Sequence, residues 1–277
     1  MPVIAMTQEM GSLAKDVALQ LSEKLQIETM RHEVVEHVAA RMHVSKSLIN
    51  RLREGKAGTI ERLKADTESM AVYTAEEVLD FAARGNGVLR GWGATCLLRP
   101  IKHVVCVRIT RSMRKRVEWL MDNLGTDDAE FAEAEIRRSD HAHATRMHEQ
   151  FGVTWGDPLL YDLVLNTDRV SVEGCVEQIR LLVARPEFAE TAESRALLRD
   201  MDTQARIRAA LRANEEAHEI KVTIDSVDGR VTLRGIVMNA AEKALTEQIA
   251  SGVAGVASVD NQLRLMAMSR LFTSSKN

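Results

Sequence analysis

The chain opens with a short apolar run, a turn of small residues and an apolar helical pattern with a lysine near its start. Residues 2–7 read Pro-Val-Ile-Ala-Met-Thr. Val17, Leu19, Leu21 and Leu25 recur among good helix formers, and Gly11, Ser12 and Lys15 lie in the turn between. An unbroken apolar strand feeding directly into a helix predicts a unit of a parallel sheet covered on both faces. The same outline is that of a phosphate-binding loop, in which backbone N–H groups and a helix N-terminus hold phosphate oxygens and a lysine adds a point charge. A standard loop of that kind has Gly six residues before the lysine, Gly just before it and Ser or Thr just after. Here those positions hold Glu9, Ala14 and Asp16. Leu13 and Ala14 are expected to avoid positive φ, which costs a residue bearing a Cβ roughly 1–2 kcal/mol. Asp16 puts a negative charge beside the anion site, or else caps the helix. An ordinary strand–turn–helix satisfies the same pattern.

The 277 residues are enough for two domains. A hydrophobic share of 45% and a charged share of 28% describe a soluble globular chain. The formal net charge of -3 gives no global attraction to nucleic acid, so no nucleic-acid partner is expected. No apolar run approaches the ~18 residues of a membrane span. The N-terminus lacks a basic stretch followed by an apolar core, which points to a cytoplasmic protein. Cys96, Cys106 and Cys175 show no Cys-x-x-Cys spacing and read as buried free thiols. Oligomeric state stays open.

Two amphipathic helices are expected over residues 31–42 and 45–53, then a polar exposed insert over 56–70. Thr74 with Glu77 three residues on predicts a capped helix running to about Ala83. Residues 88–91 and 104–109 read as strands, 112–123 as a helix with a basic start, 127–150 as a long charged helix or helix pair, 161–167 as a buried strand and 171–184 as a helix. Strands alternating with helices predict an α/β domain with a parallel sheet. Ligands in such folds sit beyond the carboxyl ends of the strands, which gathers residues 11–15, 91–94 and 110–116 around one crevice.

Taken with their order, residues 6–25, 85–98, 104–123 and 154–173 resemble the cytidylate kinase-like family of P-loop nucleotide kinases. The stretch Trp155-Gly156-Asp157-Pro158-Leu159-Leu160-Tyr161-Asp162-Leu163-Val164-Leu165-Asn166-Thr167 carries most of the resemblance, which covers residues 2–186. It implies a nucleoside-monophosphate-kinase-like sheet flanked by helices, ATP with Mg²⁺ as donor and a CMP-like acceptor. It also implies a monophosphate-binding insert near residues 31–70 and an arginine-rich lid near 125–152. On this basis Lys15, Arg116, Arg137 and Arg138 are the expected catalytic residues. Gly11, Ser12, Lys15, Asp16, Gly91, Asp140, Arg146 and Asp162 are the expected nucleotide-binding residues.

Several departures bear on catalysis. The family's Gly-Ser-Gly-Gly-Arg-Glu loop is Gly11-Ser12-Leu13-Ala14-Lys15-Asp16 here, and its Gly-Arg-x-Ala is Gly91-Trp92-Gly93-Ala94. The partner of Arg116 is Trp119, and a lid arginine is His143. Phosphoryl transfer relies on cations and Mg²⁺ to neutralise the transferred group, so losing several cations together predicts weakened or absent catalysis. His141, His143 and His148 read as a solvated lid surface rather than a metal site, because no i, i+4 ligand pair occurs. Arg111, Arg114, Lys115 and Arg116 read as a solvated or phosphate-facing helix start, and Trp92 and Trp119 as core or as base-stacking rings.

A second domain is expected beyond a linker at residues 189–199. A helix at 200–213, strands at 220–224 and 230–237 joined by an Asp228-Gly229 hairpin, a helix capped by Asn239 and a strand at 258–265 make an α-β-β-α-β module with antiparallel strands. Asp228-Gly229-Arg230-Val231-Thr232-Leu233-Arg234-Gly235 and Val259-Asp260-Asn261-Gln262-Leu263 resemble a BON domain, which implies a lipid or protein partner and no catalysis. The expected boundaries are 1–188, 189–199, 200–266 and a polar tail at 267–277. Three functions fit: a degenerate nucleotide-binding regulator that signals through the BON module, an active cytidylate-like kinase, or a scaffold that docks through the module.

Overall fold

The structure is a computed structural model that describes residues 2–30 and 33–266; the expected polar tail at 267–277 lies outside the described residues. The chain divides into two compact units, Met1–Leu198 and Arg199–Asn277.

In the first unit β1 (Val3–Gln8) leads into α1 (Ala14–Leu25), β2 (Glu28–Met30), α2 (Glu33–Arg41), α3 (Lys46–Arg53), α4 (Thr59–Lys64) and α5 (Thr67–Arg84). β3 (Gly87–Arg90), α6 (Ala94–Leu97), β4 (Val104–Thr110), α7 (Met113–Leu124), α8 (Ala129–Phe151), β5 (Leu163–Asn166) and α9 (Val172–Val183) complete it. The five strands are parallel, in the order β2-β3-β1-β4-β5. β1 is therefore central, the chain leaving it toward β2 on one side and returning past it to β4 on the other. That reversal is a topological switch point, and the loop of residues 9–13 stands at its carboxyl end. One sheet face carries Ile4, Met6, Val88, Val107, Ile109 and Leu165 against α1 and α9, and both central strands are buried along nearly their whole length. The unbroken apolar runs seen in the sequence follow from this two-sided burial.

Several expectations are corrected. α5 begins at Thr67, seven residues before the predicted cap, because the Asp66 carboxylate accepts from the Ser69 N–H at 2.9 Å; Thr74 is a buried mid-helix residue. Residues 56–70 therefore contain α4 and the start of α5, and Met70 is buried. β5 is an edge strand on which only Leu165 is buried, so it is not the fully buried strand that its composition suggested. β2, three residues long, was too short to leave a pattern. α8 is one continuous helix, started by the Asp128 carboxylate accepting from the Phe131 N–H. Cys96 is partly exposed, whereas Cys106 and Cys175 are buried free thiols.

α10 (Ala192–Ala213) starts within the stretch expected to be linker. In the second unit it is followed by β6 (Thr223–Val227), β7 (Arg230–Val237), α11 (Ala240–Ser251) and β8 (Ser258–Leu265). β6 and β7 are antiparallel, but β7 and β8 are parallel, which corrects the all-antiparallel expectation. The reason is topological: α11 is a crossover helix, and a strand–helix–strand connection within one sheet brings the chain back in the same direction. Ile207 and Leu211 of α10 join Ile224, Val231, Leu233, Val237 and Leu263 in one core. No helix among the described residues is long and apolar enough to cross a membrane.

Candidate functional site

The loop between β1 and α1 takes the left-handed conformation at two residues, Gly11 and Leu13, in spite of its missing glycines. Leu13 adopts the left-handed conformation (φ 62°, ψ 15°) that it was expected to avoid. The surrounding packing offsets a cost of roughly 1–2 kcal/mol for that conformation. Two features favour glycine at Gly11 (φ 78°). A Cβ there would lie 3.1 Å from Trp119 Cε3 and 3.2 Å from the Arg116 backbone, and its φ favours glycine. Trp119 thus packs against the loop instead of supplying the second arginine. The Leu13, Ala14 and Lys15 N–H groups open α1 and meet no acceptor among the described residues, and the Ser12 hydroxyl is buried without a partner. Lys15 and Asp16 are exposed at the start of the helix. Thr167, at the carboxyl end of β5, donates to the Ser12 carbonyl at 2.9 Å and holds the loop from behind.

Glu9, at the root of the loop, gathers the cations. Its carboxylate accepts from Arg108 Nη2 at 2.7 Å, Thr110 Oγ1 at 2.6 Å and the Arg111 N–H at 3.2 Å, and Arg116 Nη1 lies 3.7 Å away. Arg116 is buried; its Nε donates to the Met10 carbonyl at 2.6 Å and its Nη2 to Asp140 of α8 at 2.7 Å. Its charge is met by two carboxylates. Arg137 is bonded to Glu133 of its own helix with the side chain mostly exposed, and Arg138 to Glu135 beside the Gly55 turn. The three arginines expected to clamp a transferred group are therefore all tied to carboxylates.

Asp162 sits elsewhere. Its carboxylate accepts from the Cys106 N–H at 2.7 Å and its own N–H donates to the Cys106 carbonyl at 2.8 Å, level with the third residue of β4. Four residues of strand, about 13 Å, separate that level from the carboxyl end of β4 at Thr110. The role of Asp162 in this structure is to dock β5. Trp155 is likewise structural: its indole N–H donates to Thr7 at 3.0 Å, Arg108 stacks 4.3 Å above its ring, and its carbonyl accepts from Arg108 and from the Tyr161 hydroxyl.

The part of the crevice expected at residues 91–94 holds one arginine that the sequence did not single out, Arg53. Gly91 (φ 86°) ends β3 and turns the chain into Trp92, over which Arg53 of α3 stacks at 3.6 Å. Arg146 of α8 lies beside them and donates to the Arg53 carbonyl at 2.6 Å; Arg90 donates to Gln8 at 3.0 Å. Arg53, Trp92 and Arg146, with Gly93, His143, Met70, Thr74, Met147 and Gln150, line a small cavity of about 20 Å³. Burial, then the charges of Arg146 and Arg90, bring the Arg53 guanidinium down to about 10. Burial, then Arg146, Arg53 and Arg108, hold His143 down to about 3, so it is neutral here rather than a solvated lid histidine. Its ring lies 4.5 Å from that of Trp155. No sequence motif marked Arg53: it is one arginine among several on an amphipathic helix, and only the tertiary fold sets it on Trp92. Among the described residues no group of three His, Cys, Asp or Glu side chains has a metal-binding arrangement.

A parallel five-stranded sheet in this order, with a strand–loop–helix unit at its switch point, defines a P-loop nucleoside-monophosphate-kinase-like fold. The cytidylate kinase-like family model matches residues 3–169, and the chain belongs to that family. The BON domain model matches residues 199–267. Among solved structures, an uncharacterized protein from Eubacterium ventriosum is 18% identical with a TM-score of 0.53, covering 67% of this chain and 100% of its own. Shikimate kinase from Acinetobacter baumannii is 13% identical (TM-score 0.41; 66% of this chain, 93% of that one). Shikimate kinase from Bacteroides thetaiotaomicron is 16% identical (TM-score 0.41; 66% and 99%). No match is found among curated proteins.

Proposed function

We propose that the first unit binds a nucleotide at the 11–16 loop as a regulatory element, with phosphoryl transfer slow or absent, and that the BON module supplies contact with a protein or lipid partner. The observation that carries this reading is the contrast at one crevice. The loop offers unpartnered N–H groups and Lys15, whereas Arg116 is locked between Glu9 and Asp140. The binding half of a phosphate site is retained, and the half that neutralises charge in flight is engaged within the protein.

ATP phosphates would rest on the Leu13, Ala14 and Lys15 N–H groups and on the Lys15 ammonium. Asp16, exposed on the first turn of α1, is a carboxylate suited to Mg²⁺. Mg²⁺ in such sites takes one or two protein carboxylates, waters and the phosphates themselves, and there it offsets phosphate charge. Calorimetric titration of the full chain with ATP, CTP and CMP, with and without Mg²⁺, tests the reading alongside a coupled kinase assay. Micromolar ATP binding that Lys15→Ala abolishes, with negligible turnover, supports it. Turnover of 1–100 s⁻¹, the range of about 1–100 s⁻¹ usual for kinases, would replace it with an active kinase.

A further inference from the structure

From the contacts along α8, we infer that this helix is not a lid but a fixed clasp, which holds the end of α3 against the body of the first unit and shuts the crevice beside residues 91–94. Two stripes of α8 carry the argument. Ala132, Ile136, Asp140, His143, Met147 and Phe151 recur every three or four residues, so they share one face of the helix. Ala132 and Ile136 pack with Leu120 of α7, and Asp140 accepts from Arg116. The His143 ring lies 4.5 Å from that of Trp155, Met147 is buried, and Phe151 fills the space beside Gly93. This face is anchored to the body from its first turn to its last.

Glu135, Arg138, Ala142 and Arg146 make the second stripe, about 120° round the helix from the first at 3.6 residues per turn. It faces the turn after α3. Gly55 (φ 70°) lies so close that a Cβ there would be 2.9 Å from the Ala142 Cβ and 3.5 Å from the Arg138 carbonyl oxygen. Arg146 donates to the carbonyls of Leu52 and Arg53 at 3.4 and 2.6 Å, and Lys56 Nζ lies 3.7 Å from Glu135. The last carbonyls of a helix carry partial negative charge, and a cation there satisfies them. The third face of α8, with Ala134, Arg137, His141, Thr145 and His148, is the exposed one. Swinging outward as a lid would strip one stripe or the other of its partners, and those partners are groups of this chain. The clasp leaves about 20 Å³ beside Gly93, room for roughly one water, so it must part before anything larger enters there.

The inference goes beyond the nucleotide-binding reading and uses no residue of the 11–16 loop. The test is amide hydrogen exchange of the full chain, read by mass spectrometry, first by itself, then with ATP and Mg²⁺, then with CMP. Without nucleotide, residues 138–147 are expected to exchange within about tenfold of α7, and either nucleotide should change them less than about twofold. Arg146→Gln strips the α3 carbonyls of their donor. It should speed exchange at least about tenfold over residues 52–57 and 142–149, with β1 and β4 unchanged. Gly55→Val, which overpacks the contact with Ala142, should speed the same segments, and Arg146→Lys, which keeps a donor, should do so less. Exchange of residues 138–147 beyond the tenfold limit without nucleotide, or its slowing by about tenfold on adding one, would mark a mobile lid and overturn the inference. So would exchange over 52–57 and 142–149 left within about twofold by both Arg146→Gln and Gly55→Val. A variant that loses protection in β1 and β4 has failed to fold, and the wild-type comparison with α7 then decides. Failure of ATP to bind at the loop refutes the nucleotide reading alone, because the α7 comparison and the variants still test the clasp.

Discussion

The Arg116 guanidinium donates to the Asp140 carboxylate at 2.7 Å and so fastens α7 to α8, while its other arm reaches back to the loop at the Met10 carbonyl. One side chain joins the start of the loop, the helix after β4 and α8. Asp140→Ala leaves the buried Arg116 with Met10 and a longer approach to Glu9. The expected loss is roughly 1–3 kcal/mol, the cost of an unsatisfied buried partner. Urea unfolding measures it, and a loss under 0.5 kcal/mol, within about the range of neutral surface changes, would mean that the latch carries no energy.

Leu13 supplies a test of stored strain. Leu13→Gly relieves the left-handed backbone but loosens the unfolded chain, so its stability should fall within about 1 kcal/mol of wild type. Leu13→Val, β-branched at φ 62°, should lose more, roughly 1–3 kcal/mol. Equal stabilities for the two variants would refute the strain.

Gly93 (φ 69°) abuts the end of α8: a Cβ there would lie 2.7 Å from Phe151 Cε2. Gly93→Ala should destabilise by roughly 1–3 kcal/mol through overpacking. Because the obstacle is one ring, adding Phe151→Ala should recover part of the loss, and a double-mutant cycle should show coupling above about 0.5 kcal/mol.

Two histidines give opposite pH signatures. His37 lies between α2 and α5, 2.9 Å from Glu76 and 3.3 Å from Glu77. The Glu76 hydrogen bond raises its pKa above 6.5. Its contribution is therefore complete below pH 6.5 and is lost as pH rises through the folded value. His143 behaves in reverse. Unfolded it protonates near 6.5, whereas folded it resists protonation down to about 3, so stability falls as the solution is acidified across that interval. His143→Gln should flatten the acid limb of the stability profile by up to about 1.4 kcal/mol per pH unit, and His37→Gln should flatten the alkaline side of neutrality. An acid limb unchanged in His143→Gln would place the lability elsewhere.

The elements that build the core of the parallel sheet were legible in the sequence. β1, β4 and α1 announce themselves by apolar runs and helical spacing, and the order of the strand–helix units carried the fold. What misled was competition between signals. Thr74 and Glu77 make a valid cap pattern, but the burial of Met70 and Tyr73 extends the helix back to Asp66, which caps it instead. At the site, Gly11, Ser12 and Lys15 were visible because they lie in one local turn. Asp162 was drawn in by its neighbours in a distinctive stretch, yet its hydrogen bonds are those of a strand bracket. Glu9 was noticed only as a missing glycine, and Arg53 not at all, because their partners lie 99 residues away at Arg108 and, for Arg53, on a different strand end at Trp92.

The two sheets finish their borders differently. The five-stranded sheet ends in β2 and β5, only three and four residues long, while the three-stranded sheet ends in the eight-residue β8. Short borders leave little backbone for a neighbouring chain to copy, and a long one leaves a template. Asp260 and Arg264, exposed along β8, are the charges that discourage such copying. If this protein self-associates on heating or storage, the second sheet's border is where strands of separate molecules would join first.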